Sequence, residues 1–388
     1  MPKISHLIKR LRPLNDKEKV SLSSVGEYIT DKKRLNLIKR LLKEKKISIN
    51  YKRLELTIVD PIHYPEIKAE AENIDPFDVN KDIIKKAQEA LFKPFSYKAF
   101  EKIPKYIAVN ITGMEDAKKA IALQLFSIQP IHALFLGDPG TGKTDLLRAA
   151  SELSPISSFG LGSGTTGAGL IAAAKGNEVI KGIIPMADKG LACIDELNLM
   201  KEESRAGLYN AMEKGFVTYD KGGNHYKFDA RVKILATSNP RGDKFRGSTI
   251  SELKKEIPFD SALLTRFHLV FFTKKPDFKK FREIADKIVK EERKKITEAD
   301  KEFIKNYIGY TCKIEKIEFD KEQQKEVVDF VAQIKKDENK YLIEVSPRFV
   351  IGIMRLCKAL AKMELRDKVE KKDILRVKTI VNNSLKLE

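Results

Sequence analysis

The chain has 388 residues and a formal net charge of +19, from 74 Lys and Arg against 55 Asp and Glu. Its length allows two or three domains, no apolar run reaches the roughly 18 residues that cross a bilayer, and no signal peptide opens it, so we expect a soluble, cytoplasmic, nucleoid-associated protein without membrane contact. The cysteines Cys193, Cys312 and Cys357 are too far apart for a disulfide framework or a zinc site, and the positive charge favours DNA as a partner unless it is the Lys- and Glu-rich surface of a thermophile.

The first 53 residues are strongly basic, with sixteen Lys and Arg against five Asp and Glu. Apolar residues recur among them at helical spacing, namely Leu35, Ile38, Leu41 and Leu42. Residues 47–60 then alternate in the manner of a strand or hairpin. We therefore interpret residues 1–60 as a basic N-terminal module, for which a small winged-helix-like DNA binder and an ordinary basic packing domain both fit.

An α/β core with a helical lid is predicted for the rest of the chain. Pro, Asp and Glu accumulate after residue 60, so residues 61–95 are interpreted as a linker, although a helical pattern begins near residue 81. Apolar strands then alternate with helical stretches, which predicts a parallel sheet within residues 96–275, with strands at 132–137, 191–195 and 232–238. Amphipathic spacing predicts the lid over residues 276–388, as in Phe303, Ile304, Tyr307 and Ile308, and in Phe349, Ile353, Leu356 and Leu360.

The strongest motif directly follows the strand at 132–137 and consists of Gly137, Asp138, Pro139, Gly140, Thr141, Gly142, Lys143 and Thr144. It matches G-x-x-x-x-G-K-[ST], in which glycines let backbone N–H groups close round phosphates while the next helix adds the positive end of its dipole. Lys143 would reach the β- and γ-phosphates, and the Thr144 hydroxyl would bind Mg²⁺. The motif therefore predicts a P-loop site for ATP and Mg²⁺.

Polar residues end the next two predicted strands, where open α/β sheets present their ligand groups. Asp195 is predicted to hold the metal and Glu196 to activate the attacking water, although without the phosphate loop this pair would better fit the acidic first turn of a helix. Asn239 lies in an Asn-Pro turn, where its amide can hold the water or the γ-phosphate. Arg266 is suited to neutralising phosphoryl charge in a neighbouring subunit's site, and a plain surface arginine is the alternative.

Over about residues 100–385 the chain resembles the ATPase module of the minichromosome maintenance (MCM) helicases, through the ordered motifs EDAKKAIALQLF, GDPGTGKT, ADKGLACIDELNLM, NAMEKG, ATSNP, LLTRF and SPRFVIGIMRL. The resemblance implies an AAA+ P-loop fold, ATP hydrolysis and a hexameric ring. It also implies that Arg266 is the arginine finger and Arg348 the sensor-2 arginine, both acting across a subunit boundary.

Two further segments resemble elements that touch DNA in that family. Residues 217–231 resemble the presensor-1 hairpin, with Lys221 before the turn at Gly222 and Gly223, where a lysine can grip a phosphate. Residues 162–184 resemble the helix-2 insert and carry Lys175 and Lys181. Taken without the resemblance, the first segment fits a solvated turn equally well.

The chain also departs from the family's usual pattern. Asn198 and His268 stand where Asp is usual, and the helix-2 insert is short. From the roughly 100 cysteine-free residues before the module we expect the family's large N-terminal collar to be missing or replaced. The leading interpretation is a ring of this chain, with or without a full-length MCM protein, that unwinds, moves along or remodels DNA. The alternatives are a protein-remodelling or chelatase-type AAA+ machine and a catalytically silent MCM paralogue that binds DNA.

Overall fold

The computed structural model describes three short strands before residue 60 and the chain from residue 81 to 386, apart from residues 176–177, 222, 243, 277, 279–280, 283–284 and 287–295. The chain divides into two compact units, Met1–Tyr97 with Thr297–Tyr307, and Lys98–Ile296 with Ile308–Glu388. The helix predicted around Leu35 to Leu42 lies outside the described residues, and so does the first part of the predicted linker. No helix among the described residues is long and apolar enough to cross a membrane.

The first unit contains an antiparallel sheet of three strands, β1 (Lys19–Ser21), β2 (Ile47–Asn50) and β3 (Glu55–Ile58), with β3 in the centre. Strands β2 and β3 pair from Ile47 with Ile58, so of the strand and the hairpin that residues 47–60 allowed, the structure has the hairpin. Helix α1 (Lys81–Ser96) follows, so the second half of the predicted linker is a helix. Its Phe95 meets Phe303 and Tyr307 edge to face, with ring centroids 4.9 Å apart in both pairs.

The second unit is built round a parallel sheet. The remaining strands of the chain are β4 (His132–Gly137), β5 (Ser157–Leu161), β6 (Ala172–Lys175), β7 (Glu178–Lys181), β8 (Leu191–Asp195), β9 (Phe216–Lys221), β10 (Asn224–Asp229), β11 (Lys233–Ser238) and β12 (Leu269–Thr273). Five of them form one sheet in the order β12-β4-β11-β8-β5, and every neighbouring pair is parallel. The predicted parallel sheet, with its three named strands, is confirmed.

Helices complete the two units. In chain order the helices after α1 are α2 (Ala99–Lys102), α3 (Glu115–Phe126), α4 (Lys143–Leu153), α5 (Gly167–Leu170), α6 (Ile183–Met186), α7 (Glu202–Lys214), α8 (Ile250–Lys255), α9 (Ser261–Leu264), α10 (Glu298–Thr311), α11 (Lys321–Lys336), α12 (Pro347–Met363) and α13 (Lys371–Ser384). The helices α11, α12 and α13 are the helical lid expected from the sequence, whereas most of α10, with the predicted lid residues Phe303, Ile304 and Tyr307, belongs to the first unit. The α12 residues predicted to face a core, Phe349, Ile353, Leu356 and Leu360, are all buried.

The sheet order determines where the functional edge lies. Strands β4 and β8 are buried along their whole length, as parallel strands covered by helices on both faces must be. Strand β11 lies between them. Because the carboxyl ends of parallel strands share one edge of a sheet, the segments that follow residues 137, 195 and 238 meet there.

Two antiparallel hairpins project from this α/β core. Strands β6 and β7 pair from Ala172 with Lys181, and strands β9 and β10 pair from Phe216 with Asp229. The β9–β10 hairpin begins directly after helix α7, whose last turn is closed by Gly215 in the left-handed conformation (φ 70°). These hairpins are the segments that the sequence matched to the helix-2 insert and the presensor-1 hairpin.

Candidate functional site

The loop between β4 and α4 is shaped by its glycines. Gly140 and Gly142 have φ values of 79° and 81°, which side-chain-bearing residues rarely adopt. At Gly137 a Cβ atom would come within 2.0 Å of the Thr273 carbonyl oxygen, so only glycine allows β12 to lie this close. The loop therefore delivers the chain directly into the N-terminus of α4, whose first N–H groups have no partner within the helix.

Lys143 is folded onto this loop. Its Nζ donates to the carbonyl oxygens of Gly137, at 2.8 Å, and Asp138, at 2.6 Å. Burial lowers the pKa of Lys143 to about 8, and the nearby carboxylates of Asp138, Asp195 and Glu196 oppose that shift only in part. The ammonium thus lies at the centre of the predicted phosphate site, where its charge is under-compensated.

The side chain of Asp138 connects the loop to two other segments of the chain. Its buried carboxylate accepts the backbone N–H of Phe245 through Oδ1 and that of Lys275 through Oδ2, both at 3.0 Å. These bonds tie the loop to the segments after β11 and β12. The backbone of Asp138 remains part of the predicted phosphate loop, whereas its side chain is committed to holding three segments of protein together.

Asp195 gathers two hydroxyl groups at the end of β8. Thr144 Oγ1 donates to Asp195 Oδ2 at 3.0 Å, and Thr237 Oγ1 donates to Asp195 Oδ1. Thr237 also accepts the backbone N–H of Glu196 at 2.9 Å, so one hydroxyl holds both acids. The sequence did not single out Thr237; its position on β11, between the strands of the loop and of Asp195, is the signal that identifies it.

Glu196 adopts the left-handed backbone conformation, with φ 54° and ψ 47°. A residue with a side chain pays for this conformation in steric strain, and such strain concentrates at functional sites. The side chain is half-buried, and within the described part of the chain its carboxylate accepts no hydrogen bond. It is therefore free to act on a ligand.

Asn239 follows β11 and is anchored by a residue from the segment after β8. Its backbone N–H donates to Asn198 Oδ1 at 3.0 Å, and Ser238 Oγ donates to the same oxygen at 3.3 Å. Asn198, which departs from the family's usual Asp, therefore fixes the backbone at the end of β11. The Asn239 side chain is left half-buried at the edge where β4 and β8 end.

Arg266 and Arg348 are brought together, but at a separate place. Both donate to Glu213 on α7: Arg266 Nη2 to Oε2 at 3.1 Å and Arg348 Nη2 to Oε1 at 2.8 Å. The Arg266 guanidinium also lies over the Tyr209 ring, 4.8 Å from its centroid. The hydrogen bond from Arg266, together with the charges of both arginines, lowers the pKa of Glu213. We call this arrangement the Glu213 clasp; sequence reasoning missed its carboxylate.

The three lysines predicted to touch DNA all lie on the hairpins. Lys175 ends β6 and Lys221 ends β9, and their side chains are outside the described part of the structure. Lys181 ends β7 and is exposed, with its Nζ 6.0 Å from the centroid of the Phe228 ring on the neighbouring hairpin.

Comparisons with known proteins identify the same family that the sequence motifs resemble. Two family models match the chain, the MCM P-loop domain over residues 89–292 and the MCM AAA-lid domain over residues 302–385. The chain is 31% identical over 305 residues to the minichromosome maintenance protein MCM of Saccharolobus solfataricus, covering 72% of this chain and 44% of that protein. It is 29% identical over 365 residues to the DNA replication licensing factor MCM4 of Arabidopsis thaliana, covering 82% and 42%.

A third relative is the DNA replication licensing factor mcm7-B of Xenopus laevis, which is 30% identical over 301 residues, covering 71% of this chain and 41% of that protein. The chain therefore spans less than half the length of these relatives.

Proposed function

The chain belongs to the MCM family, and from that premise we propose that it is an ATPase that works within a ring of subunits to move along, unwind or remodel DNA. The observation that carries the proposal is the contact of Thr144, directly after the phosphate loop, with Asp195, the neighbour of a Glu196 carboxylate that has no partner among the described residues. This is the arrangement that hydrolysis of a triphosphate requires.

We infer that the loop and Lys143 bind the phosphates of ATP. The glycine-shaped turn and the N-terminus of α4 offer backbone N–H groups, and the Lys143 ammonium can exchange its two carbonyl partners for phosphate oxygens. The under-compensated charge of Lys143 favours that exchange, because a phosphate supplies the negative charge that the surrounding carboxylates do not.

The site also fits Mg²⁺. Hydroxyl and carboxylate oxygens are the ligands this ion prefers, and the structure brings the Thr144 hydroxyl and the Asp195 carboxylate within 3.0 Å of each other. These two residues would hold the ion, and Mg²⁺ bound there would neutralise charge on the phosphates. Thr237 keeps the Asp195 carboxylate in its orientation through a hydrogen bond.

We assign the attacking water to Glu196 and Asn239. Glu196 is half-buried and has no protein partner within the described residues, so its carboxylate can accept a proton from water. Asn239 projects from the adjacent strand end, where an amide can orient the same water. Arg266 and Arg348 are assigned to a neighbouring subunit's phosphates, since neither pairs with the loop or the two acids of its own chain within the described part.

Ring assembly and DNA contact complete the proposal. Large apolar side chains are exposed beside the edge strand β5, with Ile156 47%, Leu161 49% and Met186 62% exposed, which suits a boundary with another subunit. The hairpins that carry Lys175, Lys181 and Lys221 are assigned to DNA, in line with the net charge of +19.

The test is the substitution Glu196→Gln. Purified protein should still bind ATP, because the loop is intact, while steady-state turnover falls at least about a hundredfold through loss of the base. Glu203→Gln, the same change at an exposed position of α7, is the matched control and should keep full turnover. Unchanged turnover in Glu196→Gln would remove this residue from the role, and the absence of any effect of forked DNA on wild-type turnover, together with no strand displacement, would refute the DNA part.

A further inference from the structure

A pocket of about 330 Å³ lies at the edge of the sheet opposite to the phosphate loop. It is bordered by Ile128 and Gln129, which precede β4, by residues 315–317, and by Arg355 and Lys358 of α12. The phosphate loop follows the other end of β4, which at six residues places the two sites about 20 Å apart along the strand. The pocket is thus distinct from the proposed ATP site.

One face of α12 supplies two of the three cations that border this pocket, Arg355 and Lys358. Arg355, Lys358 and Lys362 are spaced i, i+3 and i+7, so they lie along the same side of the helix. Arg355 is held in place, since its Nε donates to Gln129 Oε1 at 3.0 Å and its Nη1 to the Pro130 carbonyl oxygen at 2.6 Å. A fixed guanidinium with N–H groups to spare is suited to receiving an anion.

No carboxylate neutralises Arg355 among the described residues, and burial alone lowers its pKa. The His268 ring does not neutralise the charge of Arg355 either. Its Nδ1 accepts the backbone N–H of His132 at 3.0 Å, so the proton of the neutral ring is on Nε2, which faces Arg355 Nη1 at 3.3 Å. Burial, followed by the charge of Arg355, lowers the pKa of His268 to about 3, which keeps the ring neutral.

Lys362, one turn further along the same face, is only 6% exposed. Within the described residues its ammonium makes no hydrogen bond or ion pair, and burial lowers the pKa of this group. Nearby Lys233 donates from its Nζ to the Leu125 carbonyl oxygen at 2.7 Å, and burial and then the charge of Lys362 lower its pKa to about 8. Buried charges in folded proteins are normally paired, so Lys362 departs from the usual pattern on the side of α12 that also carries Arg355 and Lys358.

Five other cations of the lid pair with carboxylates of the same chain, namely Arg366 with Asp373, Lys368 with Asp320, Lys372 with Glu370, Arg376 with Glu364 and Lys378 with Glu326. In the pocket, Lys316 and Lys358 have no such partner in the described structure, and Glu315 is the one acid among the residues that border it. The cations that border the pocket thus differ from these five.

We propose that the pocket binds a phosphate-bearing ligand, held by Lys316, Arg355 and Lys358 over the apolar side chains of Ile128 and Ile317. Three cations against one carboxylate favour a group with more than one negative charge, which a terminal phosphate provides and a carboxylate does not. The proposal goes beyond ATP hydrolysis, since the site is separate from the loop and from both acids.

The test uses the full chain saturated with ADP and Mg²⁺, so that the loop is occupied, and the double variant Lys316→Gln/Lys358→Gln. Calorimetric titration with inorganic pyrophosphate probes a free ligand, and a single-stranded oligonucleotide with a 5′-phosphate, compared with its 5′-hydroxyl form, probes a nucleic-acid end. Wild-type protein should bind at least one of the two phosphate probes, and the double variant should bind it at least tenfold more weakly.

The matched control is Lys321→Gln/Lys371→Gln, which removes the same charge from two exposed lysines of the lid. This control should bind as wild type does, which separates loss of a site from loss of overall charge. Binding of pyrophosphate alone identifies a free phosphate ligand, and a preference for the 5′-phosphate alone identifies a nucleic-acid end. Equal binding by both double variants, or no binding of either phosphate probe to the wild type, would overturn the proposal. Loss of ADP binding would bear on the proposed ATPase instead.

Discussion

At the scale of single residues, Lys143 combines burial with a pKa lowered to about 8. The cause is desolvation, which disfavours the charged form, so a ligand that restores negative charge beside the ammonium must raise this pKa. Lys143 then takes up a proton when the ligand binds, at any pH at which Lys143 of the free protein is partly deprotonated.

We therefore expect ATP binding to be accompanied by proton uptake near pH 8 to 9, and by little uptake at about pH 6.5, where Lys143 is already charged. Calorimetry in buffers of different ionisation enthalpy measures this number of protons. Lys143→Arg is the control, because arginine stays charged throughout this range. The same heat in every buffer at pH 8.5 would contradict the role given to the Lys143 charge.

Glu213 is a second residue whose role can be isolated. It holds the two arginines that we assign to a neighbouring subunit, at 3.1 and 2.8 Å. If the clasp fixes their orientation, Glu213→Gln should lower ATP turnover about tenfold while leaving the ATP concentration for half-maximal rate unchanged, since the loop is untouched. Glu203→Gln on the same helix is the control. An altered half-maximal concentration with normal maximal rate would place Glu213 in ATP binding instead.

At the scale of elements, the β9–β10 hairpin carries aromatic side chains as well as basic ones. Tyr219 pairs across the strands with Tyr226, with ring centroids 6.4 Å apart, and Tyr226 stacks parallel to Phe228 at the same distance. Lys227 covers Phe216 on the other face, 4.1 Å from its centroid. Half-buried rings beside lysines are suited to stacking against the bases of single-stranded DNA.

We expect Tyr219→Leu/Tyr226→Leu to weaken binding of single-stranded DNA by about 1–3 kcal/mol for each base lost from a ring. The decisive comparison uses an abasic strand, which has the phosphates without the bases: wild type should bind it more weakly than normal DNA, and the double variant should bind both equally. Fluorescence anisotropy measures these affinities. A wild type that does not distinguish the two strands would exclude stacking while leaving phosphate contact intact.

The elements also show how far sequence reasoning reaches. Strands β4, β8 and β11 were predicted because burial on both faces demands continuous apolar runs. Strand β5 was not, since it is an edge strand whose SSFGL sequence is mostly exposed. The phosphate loop and the acids Asp195 and Glu196 follow from local pattern, whereas the bonds of Thr237 to Asp195 and of Glu213 to Arg348 join residues 42 and 135 positions apart. Local pattern carries no signal for such contacts, or for the left-handed turn at Glu196.

At the scale of the whole assembly, the proposed division of labour requires that each ATP site take residues from two subunits. A Glu196→Gln subunit lacks the base but keeps Arg266, and an Arg266→Ala subunit has the reverse defect. Random mixing of the two should therefore restore turnover at about a quarter of the subunit boundaries, where the intact halves meet. Each variant alone should be nearly inactive. A mixture with no more activity than its components would show that Arg266 acts within its own chain or not at all.

The position of Glu213 has a mechanical consequence. Helix α7 ends at Lys214 and strand β9 begins at Phe216, while Arg348 is the second residue of lid helix α12. The Glu213 carboxylate thus connects the start of the β9–β10 hairpin to the start of lid helix α12. A displacement of either arginine away from Glu213 is therefore transmitted to the hairpin across three peptide bonds, without a long path through the protein interior.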